Sequence, residues 1–157
     1  MVSRQRLLEG SRAFVHPVRV RFASCVAGGR LYYPKMLDLF HDAYEALLEQ
    51  HGVPLYRVLE ERMWGAPLVH ADIELLEELP TFGTPLDVVI TAAEVSKHAV
   101  TFGYRVHETS SPKPLAIGTT VHAFLDLGTM KKRSVPDDVR AALGALSADA
   151  VVFEVES

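Results

Sequence analysis

From Pro34 to about Gln50 the chain carries its one long helical periodicity: Met36, Leu37, Phe40, Ala43, Tyr44, Leu47 and Leu48 recur at helical spacing and build a single apolar stripe. Gly52 and Pro54 then stop the helix. A lone amphipathic helix must bury its stripe against something large, and the other long periodic segments of the chain read as strands. The order β, long α, several β-like segments and a short terminal helix therefore predicts an α+β fold, with the long helix covering one face of an antiparallel sheet of about five strands.

The strands are read from alternation. Val18, Val20 and Phe22 alternate with Arg19 and Arg21 as a first half-buried strand, and residues 1 to about 13 before it read as a mobile arm. Leu55 to Arg62 adds a helical turn or two, and Pro67 opens a strand through about Leu76. After the T-F-G-T-P turn at Thr81 to Pro85 come a β-branched run over 86–96, a reversal at Lys97-His98, and a strand with Val100, Phe102, Tyr104 and Val106 on one face. Leu115 to Asp126 is the last long strand. Pro136 to Leu146 reads as a short helix with Asp137 and Asp138 in its first turn, where the helix dipole favours them, and the closing V-V-F-E-V-E is strand-like.

Composition narrows the class. A chain of 157 residues, 48% hydrophobic and 23% charged, is ordinary for one domain, here residues 14–157. Its net charge of −4 and scattered basic residues argue against a nucleic-acid or anionic-membrane surface. The single cysteine, Cys25, cannot form an internal disulfide. No apolar run approaches the roughly 20 residues of a membrane span, and the basic N-terminus lacks the apolar core of a secretory signal, so the expected location is cytoplasmic. His41, His70, His98, His107 and His122 show no metal-ligand spacing such as H-E-x-x-H, so no metal and no separate cofactor is implied.

The chemistry is expected where the strand F-A-S-C-V-A-G-G-R-L-Y-Y-P, Phe22 to Pro34, runs into the long helix. Proline at the first helical position leaves backbone N–H groups without intrahelical partners, and these can polarise a carbonyl oxygen. Gly28 and Gly29 allow either a tight turn or the close approach of a bulky group.

On these residues the chain resembles the hotdog-fold acyl-CoA thioesterases of the 4-hydroxybenzoyl-CoA thioesterase type, whose pattern reads F-x-D-x-D-x-x-G-x-V-Y-Y-P before a long helix. Phe22, Gly29, Leu31, Tyr32, Tyr33 and Pro34 fall in step with it. Both aspartates are replaced, by Ser24 and Val26, and the second of them is the family's catalytic carboxylate. The resemblance runs from about Val18 to about Leu146. It implies a helix wrapped by the sheet, an acyl-CoA substrate, subunits paired edge to edge as a homodimer or homotetramer, and active sites at the subunit interface.

It also implies roles. The Tyr33 N–H holds the thioester carbonyl. With Val26 unable to act as base, His41 is a candidate, eight residues after Tyr33 and flanked by Asp38 and Glu45, and Asp42 beside it is another. Cys25 is either a nucleophile, were its thiolate favoured by nearby cations, or a small packed residue; Ser24 binds a water or caps the turn. Tyr32, Phe40 and Tyr44 supply aromatic lining, and His70 is a possible pocket residue on a strand beside the helix start. Family positions for the coenzyme A phosphates correspond to Ser96, Lys97 and His98 at the strand turn and to Lys131, Lys132 and Arg133 before the terminal helix. The expected activity is hydrolysis of an aryl- or medium-chain acyl-CoA; the alternative is a hotdog protein that binds such a thioester without efficient turnover.

Overall fold

Helix α2 (Lys35–Gln50) lies across a sheet of six strands: β1 (Phe14–Arg19), β2 (Leu68–Leu75), β3 (Pro85–Val95), β4 (Ala99–Glu108), β5 (Pro114–Ala123) and β6 (Val151–Phe153). The computed structural model describes residues 1–154. Strands run in the spatial order β1-β3-β4-β5-β2, each antiparallel to its neighbour. On the far edge of the long strand β3, β1 pairs with residues Pro85 to Ile90 and β6 pairs in parallel with Ala93 to Val95. That edge is covered twice. At the other edge β2 has no strand beyond it among the described residues.

The apolar stripe of α2 packs as its periodicity requires. Met36, Phe40, Ala43, Leu47 and Leu48 are fully buried against Val88, Ile90, Phe102, Tyr104, Val106 and Ala116 from the inner face of the sheet. Each large apolar side chain so buried contributes about 1.5–3 kcal/mol. The Phe40 ring stacks on Tyr104 with centroids 4.4 Å apart. It also presses on Gly118 of β5, where a Cβ would lie 2.7 Å from Phe40 Cε2 and 2.2 Å from the Asp72 carbonyl. Only glycine lets helix and sheet approach there. Short helix α3 (Leu55–Glu60) follows α2, and α4 (Asp137–Gly144) buries Val139, Ala142 and Leu143 with Asp137 and Asp138 in its first turn as expected.

Three expectations are corrected. Residues 1–13 are not a free arm, because Arg4–Glu9 form helix α1, capped by the Ser3 hydroxyl, which accepts from the Arg6 N–H at 3.2 Å. Val2 and Leu7 pack with Ala92 and Ile117 on the outer face of the sheet. The Arg105 guanidinium, on that face, donates to the carbonyls of Leu7, Leu8 and Gly10 at 3.1, 3.0 and 3.1 Å, satisfying the orphan carbonyls of the α1 C-terminus. Two apolar positions in a basic segment are too few for periodicity to show the helix.

The first strand begins at Phe14 and ends at Arg19, so Phe22 is not part of it: Phe22–Ser24 is a 3₁₀ turn and the Phe22 side chain is exposed. Pro17, which discourages a strand reading, is tolerated because β1 is an outer strand. The sheet has six strands rather than five, since Val151–Phe153 add to β3; residues 155–156 of the strand-like terminal stretch lie outside the described residues. Among the described residues no helix is long and apolar enough to cross a membrane.

Candidate active site at the start of helix α2

The loop before α2 is a small hairpin. Tyr32 N–H donates to the Ser24 carbonyl at 2.8 Å, Cys25 and Leu31 form a bridge, and Val26 N–H donates to the Arg30 carbonyl at 2.8 Å. Gly28 and Gly29 turn the chain at φ of 98° and 86°, a region that side chains disfavour. No atom lies within 4 Å of where their Cβ atoms would be, so the glycines are required by the turn and not by a crowded neighbour. Alternation along the hairpin sends Leu31 and Cys25 inward and leaves Ser24, Val26, Arg30 and Tyr32 facing out. Pro80 and Phe82 brace it from behind: Leu31 N–H donates to the Pro80 carbonyl and Phe82 N–H to the Gly29 carbonyl.

At the helix start Pro34 is the N-cap and α2 proper begins at Lys35. The N–H groups of Lys35, Met36 and Leu37 are taken by tight bonds to the carbonyls of Tyr32, Tyr33 and Pro34, at 2.9, 3.1 and 3.1 Å. Proline has none to offer. The several free donors expected here reduce to one, the Tyr33 N–H, which meets no protein acceptor among the described residues.

Two clefts flank this point. Toward β2, Tyr33 and Leu37 face Ala71, Ile73 and Leu75 across a cavity of about 270 Å³. Toward β1, a cleft of about 410 Å³ is lined by Arg19, Arg21, Ser24, Lys35, Asp38, His41 and Asp42, among others. Lys35 and Asp38 pair across one helical turn at 3.3 Å. The basic flank of Arg19, Arg21 and Lys35 escaped the sequence reading, although the alternating arginines of the first strand were its visible signal.

His41 and Asp42, adjacent in sequence, are turned about 100° apart on the helix. Asp42 shares its flank with Lys35 and Asp38. His41 stands on the crest: it lines the same cleft, yet follows Leu37 by one turn and meets the Tyr44 ring edge-on at 5.6 Å. Eight residues of helical rise put His41 about 12 Å along the axis from Tyr33, so within one chain the carbonyl-holding N–H and this imidazole do not converge on one carbon.

Behind His41 the Tyr44 ring stacks on His122 of β5, 4.5 Å away and nearly parallel. His122 Nε2 meets the Thr120 hydroxyl at 3.1 Å, and that hydroxyl meets the Tyr104 hydroxyl at 2.7 Å. Burial pushes the His122 pKa down to about 4, with a hydrogen bond to the Ala66 backbone opposing it and His41 adding to it, so the ring is neutral near pH 7. Burial, with the charge of Glu45, pushes the Tyr44 hydroxyl up to about 12.

The Cys25 thiol donates to the Arg21 carbonyl at 3.3 Å and packs against the core, the arrangement of a small packed residue. His70 is not a pocket residue beside the helix start. β2 does lie there, but His70 is on its other face, 3.2 Å from Asp72, which accepts in turn from the Thr119 hydroxyl. Ala71, Ile73 and Leu75 face the helix instead.

The two nominated cation groups are brought together. Val135 N–H donates to the Lys97 carbonyl at 2.9 Å, the His98 ring meets the Arg133 carbonyl at 3.0 Å, and Arg140 donates to the Ser96 carbonyl at 3.0 Å. The Ser96 hydroxyl is spent within its own turn, on Ala99. Lys97, Lys131, Lys132 and Arg133 are in no ion pair among the described residues. The group adjoins the ends of β3 and β5, near the C-terminal end of α2, far from Tyr33 of the same chain.

A sheet wrapped on one long helix, with a free N–H where the chain enters that helix, is the architecture of a hotdog thioesterase. The profile of the Thioesterase-like superfamily matches residues 20–143, and the chain belongs to that family. It is 28% identical over 122 residues to the 1,4-dihydroxy-2-naphthoyl-CoA hydrolase of Synechococcus elongatus, an alignment covering 75% of this chain and 85% of that one. To the Synechocystis enzyme of the same name it is 27% identical over 130 residues, covering 83% and 94%. The crystal structure of a 1,4-dihydroxy-2-naphthoyl-CoA thioesterase from Synechocystis superposes with a TM-score of 0.78 at 26% identity, covering 84% of this chain and 96% of that one.

Proposed function

We propose that this chain hydrolyses an acyl-CoA thioester, with an aryl or medium-length acyl group, to the carboxylate and free coenzyme A. The observation that carries the reading is the Tyr33 N–H, left without a protein acceptor at the rim of an apolar cavity. A thioester carbonyl accepting from it is polarised in the ground state, and the same N–H stabilises the oxyanion once water adds. Collapse of that intermediate breaks the C–S bond, and the thiolate of coenzyme A takes the proton removed from the water. The names of the relatives, which act on a bicyclic aryl-CoA, support the aryl choice.

The base is His41, and it comes from a second copy. β2 is the uncovered edge of the sheet, with Val69 and Leu75 exposed along it. Antiparallel pairing of two β2 strands about a two-fold axis lays the two α2 helices side by side in opposite directions. His41 of the partner subunit then approaches the Tyr33 side of the first, closing the 12 Å that one helix leaves open at about 1.5 Å per residue. The same symmetry carries Lys97, Lys131, Lys132 and Arg133 of one copy toward the helix start of the other, where the phosphates of coenzyme A would lie.

Mixing tests this. Tyr33→Pro removes the N–H and His41→Ala removes the base, so each homodimer is inactive. If donor and base come from different chains, a re-equilibrated equimolar mixture recovers about a quarter of wild-type kcat, since half the dimers are mixed and each holds one intact site. A mixture as inactive as its components rejects the shared site.

One observation favours a second reading, a thioester-binding protein of low turnover: Val26 faces outward at the hairpin position where the family pattern has its carboxylate. Steady-state kcat for benzoyl-CoA and octanoyl-CoA well below about 1 s⁻¹ would favour it.

A further inference from the structure

We propose that Phe40 sets how deep an acyl group can enter, admitting compact aryl or medium-length acyl groups and excluding longer chains; this rests on the thioesterase reading above. The cavity beside Tyr33 is bounded on the β2 side by Ile73. In the sheet Ile73 pairs directly with Gly118, and the edge of the Phe40 ring lies over that glycine. The ring is therefore the wall immediately behind Ile73 for anything moving inward from the Tyr33 N–H.

Behind Phe40 stand packed side chains. Its ring lies flat on Tyr104, 4.4 Å away and 3° from parallel, and Tyr104 leads through Thr120 to His122, which Tyr44 covers. Phe40 and Tyr104 are both fully buried. What opens in front, between Tyr33 and Leu37 on one side and Ala71, Ile73 and Leu75 on the other, is about 270 Å³. A fused bicyclic aryl group of ten carbons matches that space in compact form, whereas an extended chain of twelve carbons would have to displace the ring.

The position is specific to the side chain. Leu37, one turn earlier, lines the cavity itself, and Phe40 is the next residue of the same helix stripe, fully buried against Tyr104. Gly118 is its counterpart, because any side chain there would push the ring back.

The test is acyl-length selectivity. For wild type, Phe40→Leu and Phe40→Ala, kcat/KM is measured with benzoyl-, octanoyl- and dodecanoyl-CoA, and calorimetry measures binding of the non-hydrolysable thioethers benzyl-CoA and dodecyl-CoA. The expected result is a tenfold or greater rise in the dodecanoyl-to-benzoyl ratio for Phe40→Ala, with Phe40→Leu intermediate, and a parallel rise in dodecyl-CoA over benzyl-CoA affinity. A uniform loss across all substrates and both thioethers, the signature of a packing defect, overturns the proposal. Phe40→Leu conserves enough volume to serve should the alanine variant not fold. If wild type hydrolyses none of the three, the enzymatic reading fails on its own, and the thioether ratio still decides the gate.

Discussion

At the residue scale the most informative side chain is one that does no chemistry. His122 is 4% exposed, neutral, and held between Tyr44 and Thr120. Its pKa falls from 6.5 to about 4 on folding, chiefly through burial. Between those values the unfolded chain binds a proton that the native one does not, so stability rises with pH across that window. The contribution is absent above about pH 7 and reaches roughly 3 kcal/mol of destabilisation near pH 4, at 1.36 kcal/mol per unit. Urea midpoints measured from pH 7.5 to 4.5 should therefore drop more steeply for wild type than for His122→Gln, whose amide cannot take the proton. Parallel curves would mean that the buried imidazole does not govern the acid limb. The sequence shows His122 alternating with Phe124 and Thr120 on one strand face, but nothing in a single strand reveals that a helix tyrosine will cover it.

At the scale of elements, legibility followed periodicity. α2, β3, β4 and β5 are long enough for apolar spacing to fix their type, and in β4 Phe102, Tyr104 and Val106 point to the helix as their alternation requires; β3 is buried on both faces, and β5 turns Gly118 and His122, not its more apolar Ile117 face, toward the helix. α1 was invisible because its cohesion comes from Arg105, about a hundred residues away in the chain. The turn before α2 was legible from its glycine pair, and unpartnered N–H groups at the helix start from the proline, while the choice of Tyr33 among them came from the resemblance. His70 was brought in by the resemblance alone, which sets β2 beside the helix start; alternation along β2 puts it on the face of Asp72 and Glu74, opposite the Ala71, Ile73 and Leu75 that line the cavity. The hairpin also offers a direct experiment. Val26 is exposed on the same face as Ser24 and Tyr32, so Val26→Asp places a carboxylate there without burying a charge. A positioned base of this kind is worth about a hundredfold or more. We expect Val26→Asp to raise kcat for benzoyl-CoA at least tenfold while leaving the thermal midpoint nearly unchanged. Unchanged or lower kcat would mean that this face of the hairpin does not look onto the reacting carbon.

At the scale of the whole molecule the two sheet edges are treated differently, and the difference bears on assembly. The β3 edge is sealed by β1 and β6, which together cover it from Pro85 to Val95. β2 has no such cover among the described residues, and beside its charged Asp72 and Glu74 it exposes Leu68, Val69 and Leu75, apolar side chains of the kind that an unpaired edge in a stable monomer avoids. Every incomplete feature of the site lies on that side or needs it: the open cavity at Ile73 and Leu75, the lone Tyr33 donor, and cations stranded at the wrong end of α2. The proposed pairing about a two-fold axis at β2 would complete all of them together. Val69 is 60% exposed and lines neither cleft beside α2, so Val69→Lys perturbs the edge without touching the proposed machinery. Two lysines brought together by the symmetry, in a strand pair that gains little from each contact, should shift the protein from dimer toward monomer. Light scattering behind a sizing column should then show a falling mass on dilution, and kcat should fall with the dimer fraction. A variant that runs as a monomer yet keeps full activity would place donor and base in one chain, and the edge of β2 would have no part in catalysis.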